Sequence, residues 1–262
     1  MAEELKEAGG RTRLYLTADF GEGETVQLDD GPAHYLRNVL RAGAGDRLHV
    51  FNGRQGEWLA EIDTIGKRGV TLVCLKQTEP QADGPDLWLL FAPVKKTPSD
   101  YLVQKATELG VSRLMPVFTR RTIVARVNED RLAANAIEAA EQSERLTVPD
   151  IAEALPLEKA LTGWPKERTL YFCDEGGEAR ALADVLAPTI LRSAAGGRHT
   201  FEAGGPAAIL TGPEGGFDPA ERAMLRALSF VVPVTLGPRI LRADTAALAA
   251  LAVWQSVAGD WR

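Results

Sequence analysis

The chain has 262 residues, enough for one large or two modest domains whose cores need no disulfide or metal staple. Hydrophobic residues at 45% and charged residues at 25% exclude a disordered chain, and no run approaches the roughly 20 apolar residues of a membrane span. The net charge of −6, taken whole, argues against a nucleic-acid binder.

Residues 1–10, MAEELKEAGG, are acidic and lack an apolar stretch, so they read as a short disordered tail and not as a secretory signal. From Arg11 to Pro80 short strands dominate. RLYL, RLHVFNG, EWLAEI and VTLVCL alternate in polarity or are rich in β-branched and aromatic residues, with glycine turns between them. Gly31-Pro32 opens one helix, AHYLRNVLRAG, which Gly43 is expected to close. Strands at this density predict a small β-barrel over 11–80. The turn formers of EPQADGPD mark a domain boundary, with the second domain over 81–262.

Beyond the boundary the rhythm becomes strand and helix in alternation. LWLLFAPV is a buried strand, SDYLVQKATELG an amphipathic helix, RLMPVF a strand and EDRLAANAIEAAEQSERL a long helix. LYFCDE, AAILTG and FVVPVTLG are further strands, so an α/β domain with a parallel sheet is predicted. Ala187 to Gly205 reads as a loose loop or insertion.

Two cysteines, Cys74 and Cys173, lie 99 positions apart in apolar runs and read as buried thiols of a reducing cytoplasm. Three histidines without CxxC or HExxH give no metal site. Charge is uneven: Lys95 to Arg126 holds seven basic residues against two acidic ones, a local +5. Arg37, Arg41, Arg47 and Arg54 face only Asp46, with Arg11 and Arg13 upstream. Because salt screens fields over about 8–10 Å, an acidic protein can carry a phosphate-binding face; solvated surface charge is the alternative.

No P-loop, GxGxxG or GxSxG is present. Instead a strand runs straight into TGPEGGF and a helix follows at once, with Asp218 as N-cap, Pro219 at N1 and Glu221 at N3. In an open α/β sheet such a bend is where ligands bind, although a plain tight turn would look the same. About 20 residues later, strand VVPVTLG ends at Gly237-Pro238, and RILRAD leads into an Ala-rich helix with Asp244 and Thr245 as capping candidates. Residues 246–253 suit packing on the protein's own sheet or on a second subunit. The two bends could line one pocket from both sides.

TGPEGGF followed by LGPRILRADTA resembles the C-terminal signature of the 16S ribosomal RNA uridine N3-methyltransferases, the RsmE family of the SPOUT superfamily. HYLRNVLRAGAGDRLHVFNG, KATELGVSRLMPVFTRRT and EAAEQSERLTVPDI match the same family in the same order. The resemblance implies an N-terminal PUA-like β-barrel and a C-terminal SPOUT α/β domain tied in a trefoil knot. It also implies a cytoplasmic homodimer acting on 16S ribosomal RNA in the small subunit. It assigns S-adenosylmethionine to Leu210, Gly212, Pro213, Glu214, Gly215, Gly216, Leu236, Gly237, Arg239, Ile240, Leu241 and Arg242. No metal or membrane partner is implied. The family often reads LRTETA where this chain has Leu241-Arg242-Ala243-Asp244-Thr245-Ala246, and Arg120 stands where Glu is frequent.

Methylating N3 of uracil requires loss of an imide proton and stabilisation of the ring anion. The matching motifs offer Arg121 or Arg145 for charge on the uracil carbonyl oxygens, with the proton lost to solvent or to Glu214. Arg11, Arg13, Arg37, Arg41, Lys95, Lys96, Lys105, Arg120 and Arg121 are the candidate RNA contacts. N3 lies on the Watson–Crick edge, so the target must be unpaired or flipped. A different SPOUT enzyme acting on a transfer-RNA ribose 2′-hydroxyl, or a PUA-like RNA-binding protein without activity, are the alternatives.

Overall fold

A computed structural model describes residues 6–7, 10–67, 69–94, 97–174, 179–187 and 205–261. The chain forms two compact units, Met1–Asp83 with Ile137–Val148, and Gly84–Ala136 with Pro149–Arg262.

In the first unit β1 (Lys6–Glu7) and β2 (Gly10–Arg11) form a short antiparallel pair inside the segment expected to be a disordered tail. β3 (Arg13–Tyr15), β4 (Thr25–Gln27), β5 (Arg47–Phe51), β6 (Glu57–Gly66) and β7 (Gly69–Glu79) make one sheet in the order β3-β5-β6-β7-β4. Three register shifts between β6 and β7 increase the local twist and curl this long hairpin. The curled sheet encloses Leu14, Leu36, Leu48, Val50, Ile62 and Leu72, each at most 4% exposed. Glycine is required at position 56, where φ is +74° and a Cβ would lie 2.1 Å from the Glu79 carbonyl oxygen.

The helix over 31–43 is shorter and less regular than its pattern predicts. α1 (Asp30–His34) passes into a π-helical turn over Tyr35–Val39, with Leu40 N–H donating to the Tyr35 carbonyl. Arg41, at φ +54°, ends it before Gly43 is reached. Gly43 N–H instead donates to Asp46 Oδ2 at 2.7 Å.

In the second unit, which holds all of α3 but residues 137–142, the elements run β8 (Leu87–Phe91), α2 (Thr97–Glu108), β9 (Arg113–Phe118), α3 (Glu129–Gln142), β10 (Asp150–Ile151), β11 (Leu155–Pro156), α4 (Leu157–Ala160) and β12 (Thr169–Cys173). They continue with β13 (Arg180–Ala181), α5 (182–187), β14 (Ala207–Thr211), α6 (Pro219–Ala227), β15 (Val231–Thr235) and α7 (Ala243–Val257). Every pairing is parallel, in the order β10-β9-β8-β14-β12-β15-β13, with β11 also on β9. The central strand β14 is buried at all five positions, as a strand covered on both faces must be. On one face Trp164, Leu161, Phe172, Phe217 and Leu225 form the core. Ala247, Ala250, Leu251 and Trp254 of α7 are buried, with α7 packed on β14 and α2. The Ala-rich helix therefore packs on its own sheet. Gln255, fully buried, ties it down by donating to the Leu109 carbonyl at 2.6 Å and accepting from Asp260 N–H at 3.1 Å.

The start of β12 is pinned by Arg168, which donates to the carbonyls of Asp86 (3.1 Å) and Ala207 (3.0 Å) and stacks 3.6 Å from the Trp88 ring centroid. One side chain thus ties together the amino ends of β8, β12 and β14. Most of the loop expected over Ala187–Gly205, residues 188–204, lies outside the described residues.

Candidate functional site

The two glycine-bearing bends leave the carboxyl ends of β14 and β15, which flank β12 in the sheet. They face each other across the end of β12 and line one pocket. Thr211, Gly212, Pro213, Glu214, Gly216 and Phe217 form one wall, and Val234 to Leu241 the other. Cys173 and Asp174, at the end of β12, lie between them, and Ala243 and Ala246 of α7 complete the lining.

Of the residues expected around the cofactor, Gly212, Pro213, Glu214, Gly216, Leu236, Gly237, Arg239, Ile240 and Leu241 line this pocket. Leu210 does not; its side chain is buried within β14. Gly215 turns its carbonyl to Arg121, and Arg242 is the exposed N-cap of α7. α7 therefore starts at Ala243, so Asp244 and Thr245 lie in its first turn and are not its caps. Asp244 there complements the positive helix end.

Glycine at 212 has a steric origin: a Cβ would lie 2.6 Å from the Phe217 ring, which folds back under the bend. Gly216 and Gly237 take φ of +66° and +109°. The capping box read from the sequence is present, Asp218 accepting from Ala220 N–H at 2.9 Å and Glu221 from Asp218 N–H at 3.1 Å. Glu221, 3% exposed, does more than cap the helix. Its second oxygen accepts from Arg120 N–H at 2.7 Å. Arg120 also reaches Asp218 at 3.2 Å, and Arg121 Nη1 donates to the Gly215 carbonyl at 2.8 Å. The turn after β9 is thereby latched to the GPEGG bend through both arginines.

Sequence reasoning missed Asp174. Its carboxylate is buried beside the pocket, with Oδ1 held by Arg222 (2.9 Å) and Oδ2 by Arg226 (2.6 Å). The two arginines are four apart on α6, on one helix face. An apolar strand running into the acidic pair Asp174-Glu175 was the only signal. Burial also pushes the Cys173 thiol up to about 12.

The candidate RNA contacts divide. Arg13 is corrected: it is 4% exposed, its Nε on Glu57 at 2.5 Å and its Nη atoms on the carbonyls of Ala140 (2.9 Å), Glu141 (3.0 Å) and Arg145 (2.7 Å). A guanidinium so enclosed cannot reach a phosphate; it holds the end of α3 and the turn after it, which are grouped with it in the first compact unit. Arg11 lies 3.4 Å from both Glu57 and Glu144, and Lys105 is paired with Glu108 at 2.6 Å. Arg37 donates to the Gly66 carbonyl, while Arg41 is exposed. Arg145 is a residue of the first unit, where its Nη2 donates to Thr147. Lys95 and Lys96 lie outside the described residues.

Comparison with known proteins gives the same assignment for both parts. An RNA methyltransferase domain matches residues 82–255, and an RNA methyltransferase PUA domain matches 28–74. Ribosomal RNA small subunit methyltransferase E of Rickettsia conorii is 32% identical over 241 residues, 92% of this chain and 93% of that protein. This chain belongs to the ribosomal RNA small subunit methyltransferase E family. The Synechocystis member is 33% identical over 87% of this chain and 72% of its own. The structure of the Neisseria gonorrhoeae member, bound to S-adenosyl methionine, superposes with a TM-score of 0.82 at 30% identity, covering 96% of this chain and 99% of that one. A Legionella pneumophila methyltransferase in complex with the same cofactor gives 0.80 at 27% identity, covering 95% and 98%.

Proposed function

We propose that this protein uses S-adenosylmethionine to methylate N3 of a specific uridine in the 16S RNA of the small ribosomal subunit, in the cytoplasm and as a knotted homodimer. The observation that carries the reading is the meeting of the two bends, 212–217 and 234–241, around one pocket. The residues present fit the cofactor. Gly212 lets the bend close tightly over the Phe217 ring, and the buried Asp174 has its charge answered by two arginines. In our reading Gly212–Gly216 and Leu236–Leu241 hold it; when bound, it supplies a methyl already activated as a sulfonium.

The protein's own task is then the acceptor. Alignment accounts for much of the rate, because holding reacting atoms at about 3–3.5 Å removes the entropy of encounter. Glu214, exposed on the bend, takes the N3 proton. Arg121, with Nη1 held on Gly215, offers its remaining donors to the uracil oxygen that gains charge; Arg145 is the alternative candidate for that role. Arg11, Arg37 and Arg41 hold the RNA backbone, with Arg120, Lys95 and Lys96.

Calorimetric titration with S-adenosylmethionine, followed by labelled methyl transfer to small subunits that lack the modification, tests this. One site per chain and transfer to a uridine N3 are expected. No heat at saturating cofactor would overturn the reading, and transfer to a ribose 2′-hydroxyl would replace it with a different SPOUT activity.

A further inference from the structure

A second cavity, of about 620 Å³, opens at the same carboxyl edge of the sheet. That is within the range of about 300–1,000 Å³ typical of small-molecule sites. Phe91, Val94, Val124, Val127 and Leu132 give it largely apolar walls. Its polar groups are few. The Asp100 carboxylate accepts from Arg131 Nε at 2.9 Å and Asn135 Nδ2 at 3.1 Å, and Arg126 lies exposed on the rim. With one acid against two arginines, the lining is cationic.

Its place relative to the first pocket decides what it suits. Phe91, a wall of this cavity, pairs in register with Thr211, a wall of the pocket between the bends, and Ala92 N–H donates to the Thr211 carbonyl at 3.2 Å. The two hollows thus adjoin across the ends of β8 and β14. Transfer of a group between two bound molecules needs two sites whose contents can touch.

We infer that this cavity receives the unpaired pyrimidine nucleotide that accepts the methyl, which rests on the reading proposed above. Uracil must turn its Watson–Crick edge to the donor, so the cavity encloses the opposite C5–C6 edge, which carries only C–H groups. Val124 and Val127 match that edge. Arg126 matches the phosphate, and Arg131 cancels the charge of Asp100 that would otherwise repel it.

The test compares wild type with Val124→Trp and Val127→Trp, which fill the cavity from a segment outside any helix or strand. Each is expected to lower kcat/KM for RNA by at least about tenfold while cofactor Kd stays within about twofold. Alongside, an RNA carrying 5-iodouridine at the target position, whose reactive substituent lies on the enclosed C5–C6 edge, is irradiated with wild-type protein, and a crosslink to residues 122–132 is expected. Wild-type protein that transfers no methyl to RNA would defeat the methyltransferase reading and this inference together. Active wild type, with both variants at the wild-type rate or the crosslink mapping away from 122–132, would overturn the inference alone.

Discussion

Glu57 shows how a single buried carboxylate organises the first unit. Burial alone would raise its pKa, but hydrogen bonds from His49 (2.9 Å) and Arg13, the charge of Arg13 and a bond from Thr78 (3.0 Å) bring it from 4.5 to about 2. Because the folded value lies below the unfolded one, the stabilisation is complete above about pH 4.5 and disappears as pH falls towards 2. The difference corresponds to about 3 kcal/mol. Urea titrations between pH 6 and 2.5 should show that loss in wild type and a much flatter profile in Glu57→Gln. Arg13→Ala, which strands the buried carboxylate, should destabilise by about 3–5 kcal/mol at neutral pH. In the second unit the same logic makes Arg121 a support of the GPEGG bend as well as a candidate for charge stabilisation. Arg121→Ala should weaken cofactor binding by about fivefold, the worth of about one hydrogen bond, and an unchanged Kd would remove the supporting role. At the pocket floor the Cys173 thiol, pushed up to about 12, should alkylate slowly at pH 7.5 in the native protein and rapidly once unfolded. Fast native labelling would contradict the burial that raises it.

Among the elements, legibility followed the range of the cause. The start of α6 was readable because Asp218, Pro219 and Glu221 satisfy the helix's own first N–H groups, all within four residues. Strands β8, β9, β12, β14 and β15 were readable because they are apolar runs of five or six residues. Two-residue strands such as β10, β11 and β13 leave no periodicity to read. The two bends were visible, one as a glycine cluster and the other as Gly237-Pro238 at a strand end, but their shared pocket depends on β12 lying between β14 and β15, and sheet order is not written in local sequence. Asp174 and the Glu221–Arg120 latch were missed for that reason, their partners being 48 and 101 positions away. Arg13 was misassigned because a basic residue near others looks like a phosphate contact until its carbonyl partners are known. The bend makes its own prediction. Gly212→Ala places a methyl against the Phe217 ring and should reduce cofactor affinity by about tenfold or more while leaving the fold intact by circular dichroism. Wild-type affinity would show that the bend tolerates a side chain and is not the cofactor wall.

At the scale of the whole molecule, a net charge of −6 has to be reconciled with an RNA substrate. Buried or paired cations such as Arg13 and Lys105 contribute little to a field, which leaves the binding to a limited set of exposed arginines. RNA affinity should therefore fall with salt, and Arg41→Ala should reduce the slope of log K against log salt by about 0.7 if its partner is a single-strand phosphate. The central claim, that two bends close on one methyl donor to modify a uridine N3, is tested most directly by primer extension on 16S RNA. A methyl on N3 blocks pairing and stops the polymerase, so deletion of the gene should abolish one discrete stop. The wild-type gene should restore that stop and the Gly212→Ala variant should restore it poorly. A stop pattern identical with and without the gene would contradict the account.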